Sequence, residues 1–110
     1  MNRTELKDEF IRLVTIIERL RGPDGCPWDQ KQTYYSLASN ILEEAYEVVE
    51  TLKQKDLASL KEELGDLLLQ VVFEAQIGRE DSRFDLKDVL ISINQKMIRR
   101  HPHVFGNKNV

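Results

Sequence analysis

Glycine and proline are scarce, five and three in 110 residues, which argues against a fold of many tight turns and leaves helices as the expected structure. Cysteine occurs once, at Cys26, so no internal disulfide can staple the chain. No long hydrophobic run is present. The nearest, Leu67 to Phe73, is broken by Gln70 and falls far short of the about 20 residues that span a bilayer, so no membrane association is expected. The N-terminus carries Arg3, Glu5, Lys7 and Asp8 where a secretory leader needs an apolar stretch, and a cytoplasmic location is expected. Nor is positive charge in excess: 16 Lys and Arg against 19 Asp and Glu give a net charge of -3, which points away from a nucleic-acid-binding surface.

What is present reads as one all-α domain over residues 1–110, a length that suits a single core. Leu6, Phe10, Leu13, Val14, Ile17 and Leu20 repeat at helical spacing and predict a first helix from Thr4, as N-cap, to about Arg21. Gly22-Pro23-Asp24-Gly25 stops it, and Cys26 to Gln32 reads as an ordered loop whose Trp28 is expected to cover one end of the core. A second helix is expected from Thr33 or Ser36 to about Gln54, with Leu37, Ile41, Ala45, Val48 and Leu52 as its apolar face. Asp56 caps a third, whose leucines and valines between Leu57 and Ala75 lie on nearly every side and predict a central helix. Gly78 to Phe84 reads as a polar turn, Asp85 caps a fourth helix and Pro102 ends it.

The chemistry concentrates in two short stretches, Glu43-Glu44-Ala45-Tyr46-Glu47 and Glu63-Leu64-Gly65-Asp66. Residues three apart on a helix share a face, so Glu44 pairs with Glu47 and Glu63 with Asp66. Two antiparallel helices joined by a short connector can then close four carboxylates around one small volume. Such a cluster needs protonation, a base or a bound cation. The acidic stripe of the second helix holds no Lys or Arg, which favours a cation, and carboxylate oxygens suit hard divalent ions. Di-iron bundles use Glu-x-x-His elements; His101 and His103 occupy no such position, so Mg²⁺ or Mn²⁺ is expected. Gly65 permits a close helix crossing. Lys96 and Arg100, four apart near the end of the fourth helix, either compensate its dipole or contact phosphate oxygens.

These residues carry a resemblance. The chain resembles the MazG-type all-α nucleoside triphosphate pyrophosphohydrolases, through Glu43-Glu44-Ala45-Tyr46-Glu47 and Glu63-Leu64-Gly65-Asp66, through Cys26-Pro27-Trp28-Asp29 with Gln32-Thr33, and through Arg99-Arg100-His101-Pro102-His103-Val104-Phe105. The resemblance runs from Leu20 to Gly106. It implies Mg²⁺-dependent hydrolysis of a nucleoside triphosphate between the α and β phosphates. It also implies Glu44, Glu47, Glu63 and Asp66 as metal ligands, and Glu43 as the candidate for orienting or deprotonating the attacking water. Lys96 and Arg100 would hold phosphates, and Trp28 or Lys31 would reach the nucleotide. The chain departs from the pattern at Glu74, where related chains often carry His or another residue, and in ending soon after the His-Pro-His-Val-Phe segment. A four-helix-bundle-like fold completed by oligomerisation, as a homodimer or homotetramer, is the implied architecture. The rival reading from another class is a nucleotide-binding or interaction module whose acids hold a structural metal; a plain helical scaffold, with no metal at all, is the third.

Overall fold

Side-chain caps start three of the helices in this chain, and they explain part of where the observed boundaries agree with sequence expectation and where they shift. The computed structural model describes residues 1–106; residues 107–110, which include the end of the expected domain, lie outside the described residues. Helix α1 spans Arg3–Arg21, and its N-cap is Asn2, whose side chain accepts from the Glu5 N–H at 3.0 Å. Asn2 displaces the expected Thr4: an Asn two residues earlier satisfies the free N–H groups equally well and lengthens the helix. Asp56 caps α4, Leu57–Glu80. Asp85 caps α5, Leu86–Arg100, in a reciprocal box with Asp88. Both caps fall where the sequence predicted them.

Three boundaries differ. The segment after the first stop contains a single helical turn, α2, Pro27–Gln30. Helix α3, Ala38–Lys53, starts later than Thr33 or Ser36, because Thr33 and Ser36 spend their hydroxyls on each other's backbone N–H groups, with the Ser36 hydroxyl also donating to Gln32 and forming a turn that precedes the helix. Helix α4 runs through Gly78 to Glu80, so the expected turn begins at Asp81. The glycine is a packing feature: a Cβ there would stand 2.8 Å from the Phe84 carbonyl oxygen and 2.9 Å from its ring. A last turn, α6, covers Pro102–Phe105.

All regular structure among the described residues is helical. Helix α4 is the spine, as its apolar pattern predicted: α1, α3 and α5 each pack on it. Among the described residues they do not close a four-helix bundle within one chain, because α1, α3 and α5 each pack on α4 and not on one another. The core is Ile17, Leu37, Val72, Phe73 and Ile77, flanked by Phe10, Leu13, Val14, Leu20, Tyr34, Leu69 and Leu86. It lies over the C-terminal half of α4. Trp28 does not cover it; the indole is 75% exposed. The end of the core is closed instead by Arg21, which stacks over Phe73 at 5.4 Å, pairs with Glu80 at 2.8 Å and donates to the carbonyls of Asp29 and Gln32. One guanidinium thus ties α1, the α2 loop and α4 together.

Candidate metal centre

Helices α3 and α4 are joined by three residues, Gln54 to Asp56, with Lys55 in the left-handed region at φ 57°. So short a connector folds the helices into an antiparallel hairpin, and α3 packs along α4. The hairpin brings Glu44 from α3 against Glu63 and Asp66 from α4: one carboxylate oxygen from each lies within 4.8 Å of the others. Glu44 and Glu63 are half-buried and Asp66 is exposed, so the centre opens on the surface. Glu47 stands outside this tight group of three but close enough for its charge to act on both Glu44 and Glu63. Glu43 is exposed beside Glu44.

Burial is the largest influence holding the Glu44 carboxyl above its usual range, followed by the charges of Asp66, Glu43, Glu63 and Glu47. Glu63 is raised likewise, by burial first and then by Asp66, Glu47 and Glu62. No lysine, arginine or histidine among the described residues forms an ion pair with these acids; the pairs present are Arg12–Glu9, Arg21–Glu80, Arg79–Glu18 and Arg83–Asp81. Compensation by salt bridges, open from sequence, is therefore not what the fold supplies. The set is oxygen-only, since His101 and His103 stay at the end of α5. A hard divalent cation such as Mg²⁺ or Mn²⁺ fits these donors.

The structure does not gather the other expected site residues around the acids. Trp28 and Lys31 sit together, the ammonium 5.7 Å from the indole centroid, on the short turn after α1. Lys96 is half-buried and lines a cleft with Phe84, Asp88, Val89, Ser92 and Ile93, while Arg100 is exposed one turn further. No hydrogen bond or ion pair among the described residues links any of these four to the carboxylates.

Two polar residues that the sequence left without a role lie one and two turns beyond Asp66 on α4. Gln70 and Glu74 follow Asp66 at intervals of four along α4 and each has a buried side-chain oxygen with no hydrogen-bond partner. The available signal was the spacing itself, a polar line at positions 66, 70 and 74 through the most apolar helix of the chain.

An all-helical hairpin that converges three carboxylates without a basic partner defines a helical protein with an acidic cluster that could hold a metal ion. The comparisons with known proteins place it more closely. The MazG nucleotide pyrophosphohydrolase domain matches residues 32–105, and the chain belongs to that family. It is 55% identical over 98 residues to the nucleoside triphosphate pyrophosphohydrolase/pyrophosphatase MazG of Thermotoga maritima, covering 89% of this chain and 38% of that protein. It is 50% identical over 103 residues to the nucleoside triphosphate pyrophosphohydrolase of Escherichia coli strain K12, covering 93% and 39%. The crystal structure of a mazG-related protein from Thermotoga maritima superposes with a TM-score of 0.73 at 35% identity, covering 90% of this chain and 85% of that one. The chain spans about two fifths of the length of these two curated relatives. No helix among the described residues is long and apolar enough to cross a membrane.

Proposed function

We propose that this chain hydrolyses nucleoside triphosphates between the α and β phosphates, releasing the monophosphate and pyrophosphate, with Glu44, Glu47, Glu63 and Asp66 holding Mg²⁺ or Mn²⁺. The observation that carries the reading is the convergence of Glu44, Glu63 and Asp66 within 4.8 Å with no basic partner, in a family whose curated relatives are named for this activity. When bound, the cation neutralises phosphate charge, polarises the α phosphorus and lowers the pKa of a coordinated water. Glu47, just outside the tight trio, has a rotatable side chain one helical turn from Glu44 and completes the ligand set by a small reorientation. Glu43, exposed beside Glu44, orients the attacking water and accepts its proton as the bond from the α phosphorus to the bridging oxygen breaks. Lys96 and Arg100, on one face of α5, supply cationic donors to the phosphate oxygens, and Trp28 with Lys31 contacts the nucleotide.

We further propose that the protein works as a homo-oligomer, a dimer or tetramer. The N-terminal half of α4 leaves Leu57, Leu64 and Leu68 exposed, and Leu57 alone is 68% accessible; a second copy covering them completes the bundle that one chain leaves open. The radius of gyration, 16.7 Å, exceeds the about 13 Å of a compact chain this long, as expected of a protomer shaped by partners. Sedimentation at micromolar concentration should give a multiple of the 12.9 kDa chain mass; a stable monomer refutes the assembly.

The activity is tested by incubating the protein with a panel of nucleoside triphosphates and Mg²⁺ in ¹⁸O-labelled water. Monophosphate carrying the label, together with unlabelled pyrophosphate, is expected for attack at the α phosphorus. Diphosphate and phosphate overturn the bond assignment. Nucleotide binding without turnover by any member of the panel replaces the enzyme with a binding module whose metal is structural.

A further inference from the structure

The short turn α2, which carries Trp28 and leads into Lys31, buries none of its side chains. A helix of one turn is too short to sustain itself, so its shape comes from hydrogen bonds made around it. Most of those among the described residues are local. The Cys26 N–H donates to the Leu20 carbonyl at 2.8 Å, the Gln30 side-chain amide to the Gly22 carbonyl, and the Gln32 side-chain amide to the Trp28 carbonyl at 3.1 Å. Arg21 is different. Its Nη1 donates to the carbonyls of Asp29 at 2.6 Å and Gln32 at 3.1 Å, while Nε and Nη2 form a bidentate pair with Glu80 of α4 at 2.8 and 2.9 Å. Four of the five guanidinium N–H groups are thereby used, and the side chain is only 8% exposed. Through this one side chain the turn is tied to α4, the helix of Glu63 and Asp66.

Closing the core does not require all of these contacts. The stack on Phe73 and the pair with Glu80 both lie on α4 and cover the end of the core without the turn. The two carbonyl bonds go instead to a segment with nothing buried, and they bracket Gln30 and Lys31. The Lys31 ammonium lies 5.7 Å from the Trp28 ring centroid, and Trp28 is exposed, so a flat aromatic face and a cation are presented to solvent together. Resting on the proposed contact of Trp28 and Lys31 with the nucleotide, we infer that Arg21 is a positioning residue for that contact, oriented by Glu80 and fixing the turn through the carbonyls of Asp29 and Gln32. Lysine in its place keeps a charge for Glu80. A point charge without the planar fork cannot serve the carboxylate and both carbonyls in one geometry. The turn must then be ordered by the nucleotide itself, and that ordering is subtracted from affinity, while the carboxylates at the metal centre are untouched. The signature is a rise in KM with kcat held.

Trp28 is the single tryptophan of the chain, so its fluorescence reports the turn directly. The test measures Trp28 anisotropy without nucleotide, then Trp28 emission and calorimetric affinity on adding α,β-methylene analogues of the four ribonucleoside triphosphates with Mg²⁺, which the proposed reaction cannot cleave. KM and kcat are measured beside them on the cleavable triphosphates. Arg21→Lys should lower the anisotropy, weaken analogue binding about tenfold and raise KM in proportion. Its kcat should stay within about twofold. The core variant Val72→Ala should lower the midpoint of urea unfolding and leave anisotropy, affinity and KM unchanged. If Arg21→Lys behaves as Val72→Ala does, Arg21 is structural and the positioning role is overturned, while a Trp28 response to the analogues keeps the nucleotide contact standing. Analogues that bind without altering Trp28 emission overturn the contact and the positioning role together, even if hydrolysis of triphosphates proceeds. Lowered anisotropy and weakened binding in Arg21→Lys, with no triphosphate hydrolysed by the unaltered protein, uphold the positioning role and remove the enzymatic reading instead. No binding of any analogue removes both.

Discussion

The two halves of α4 have opposite relations to the rest of the chain. From Gln70 to Gly78 the helix contributes six buried residues, Gln70, Val72, Phe73, Ala75, Ile77 and Gly78, and meets α1, Leu37 and the start of α5 in the core. From Leu57 to Leu69 it contributes none, leaves several leucines exposed and carries Glu63 and Asp66 toward Glu44. One helix thus combines some of the most buried and some of the most exposed apolar side chains of the protein. The C-terminal half holds the core, and the N-terminal half carries the carboxylates of the proposed metal centre and the apolar surface proposed to meet a second copy.

The largest expected contrast comes from removing one side chain in each half. Phe73→Ala deletes a buried ring under Arg21 and should cost about 3–5 kcal/mol of stability, read as a fall in the midpoint of urea unfolding. Its specific activity per folded molecule should change little. Glu63→Ala should do the reverse: turnover falls by about a hundredfold or more while the unfolding midpoint of the metal-free protein holds or rises, because a carboxylate repelled by its neighbours is gone. If Glu63→Ala unfolds the protein as Phe73→Ala does, the cluster is structural and the division of α4 fails.

Much of this division was legible before any coordinates. Asp56 and Asp85 as caps, the central position of α4 and the approach of Glu44 to Glu63 and Asp66 all follow from local spacing, because caps, helical periodicity and a three-residue connector are short-range constraints. What was not legible depends on long-range partners. Trp28 was expected on the core because a large aromatic usually seeks burial, but Arg21 already fills that end with one guanidinium and three kinds of contact. Gly78 reads as a helix stop in isolation and becomes a helix interior only because Phe84 folds back on it. That Gln70 and Glu74 each bury a side-chain oxygen without a hydrogen-bond partner depends on packing that no local spacing in the sequence names. Lys96, Arg100, Trp28 and Lys31 could be ranked by charge or aromaticity but not placed relative to the acids by any local rule.

A smaller contrast lies in acid response. Glu44 and Glu63 have folded-state values above the ordinary 4.5, so their contribution to stability is full below that value and is lost as pH rises through their raised values. Glu80 is lowered, chiefly by its hydrogen bond from Arg21. Its contribution is present above 4.5 and is lost as pH falls through its lowered value. Metal-free melting curves should therefore separate by variant: Glu63→Gln lessens the decline toward neutral pH, and Glu80→Gln lessens the decline in acid. Saturating Mg²⁺ should offset the first decline and leave the second, since binding to the native state alone stabilises it by mass action. A Mg²⁺ effect that survives unchanged in Glu63→Gln places the ion elsewhere.

The smallest effect uses the two glycines of α4, one in each half. At Gly78 an added Cβ meets the Phe84 carbonyl oxygen at 2.8 Å. That atom belongs to the backbone and cannot swing aside, so the clash of Gly78→Ala should outweigh its gain in helix propensity and leave a net loss of about 1–2 kcal/mol. At Gly65, between Glu63 and Asp66, nothing among the described residues stands within 4 Å of the same methyl group beyond its own helix backbone and chain neighbours, and the close crossing that the glycine suggested is not made with α1, α3 or α5. Within one chain, Gly65→Ala should gain up to about 1 kcal/mol, read from urea unfolding at concentrations low enough to keep protomers apart. Raising the concentration then asks what the open groove of Leu57, Leu60, Leu64 and Leu68 around Gly65 is for. If a second copy crosses at the glycine, the same methyl that stabilises the lone protomer weakens the assembly, and the gain should change sign as the oligomer forms.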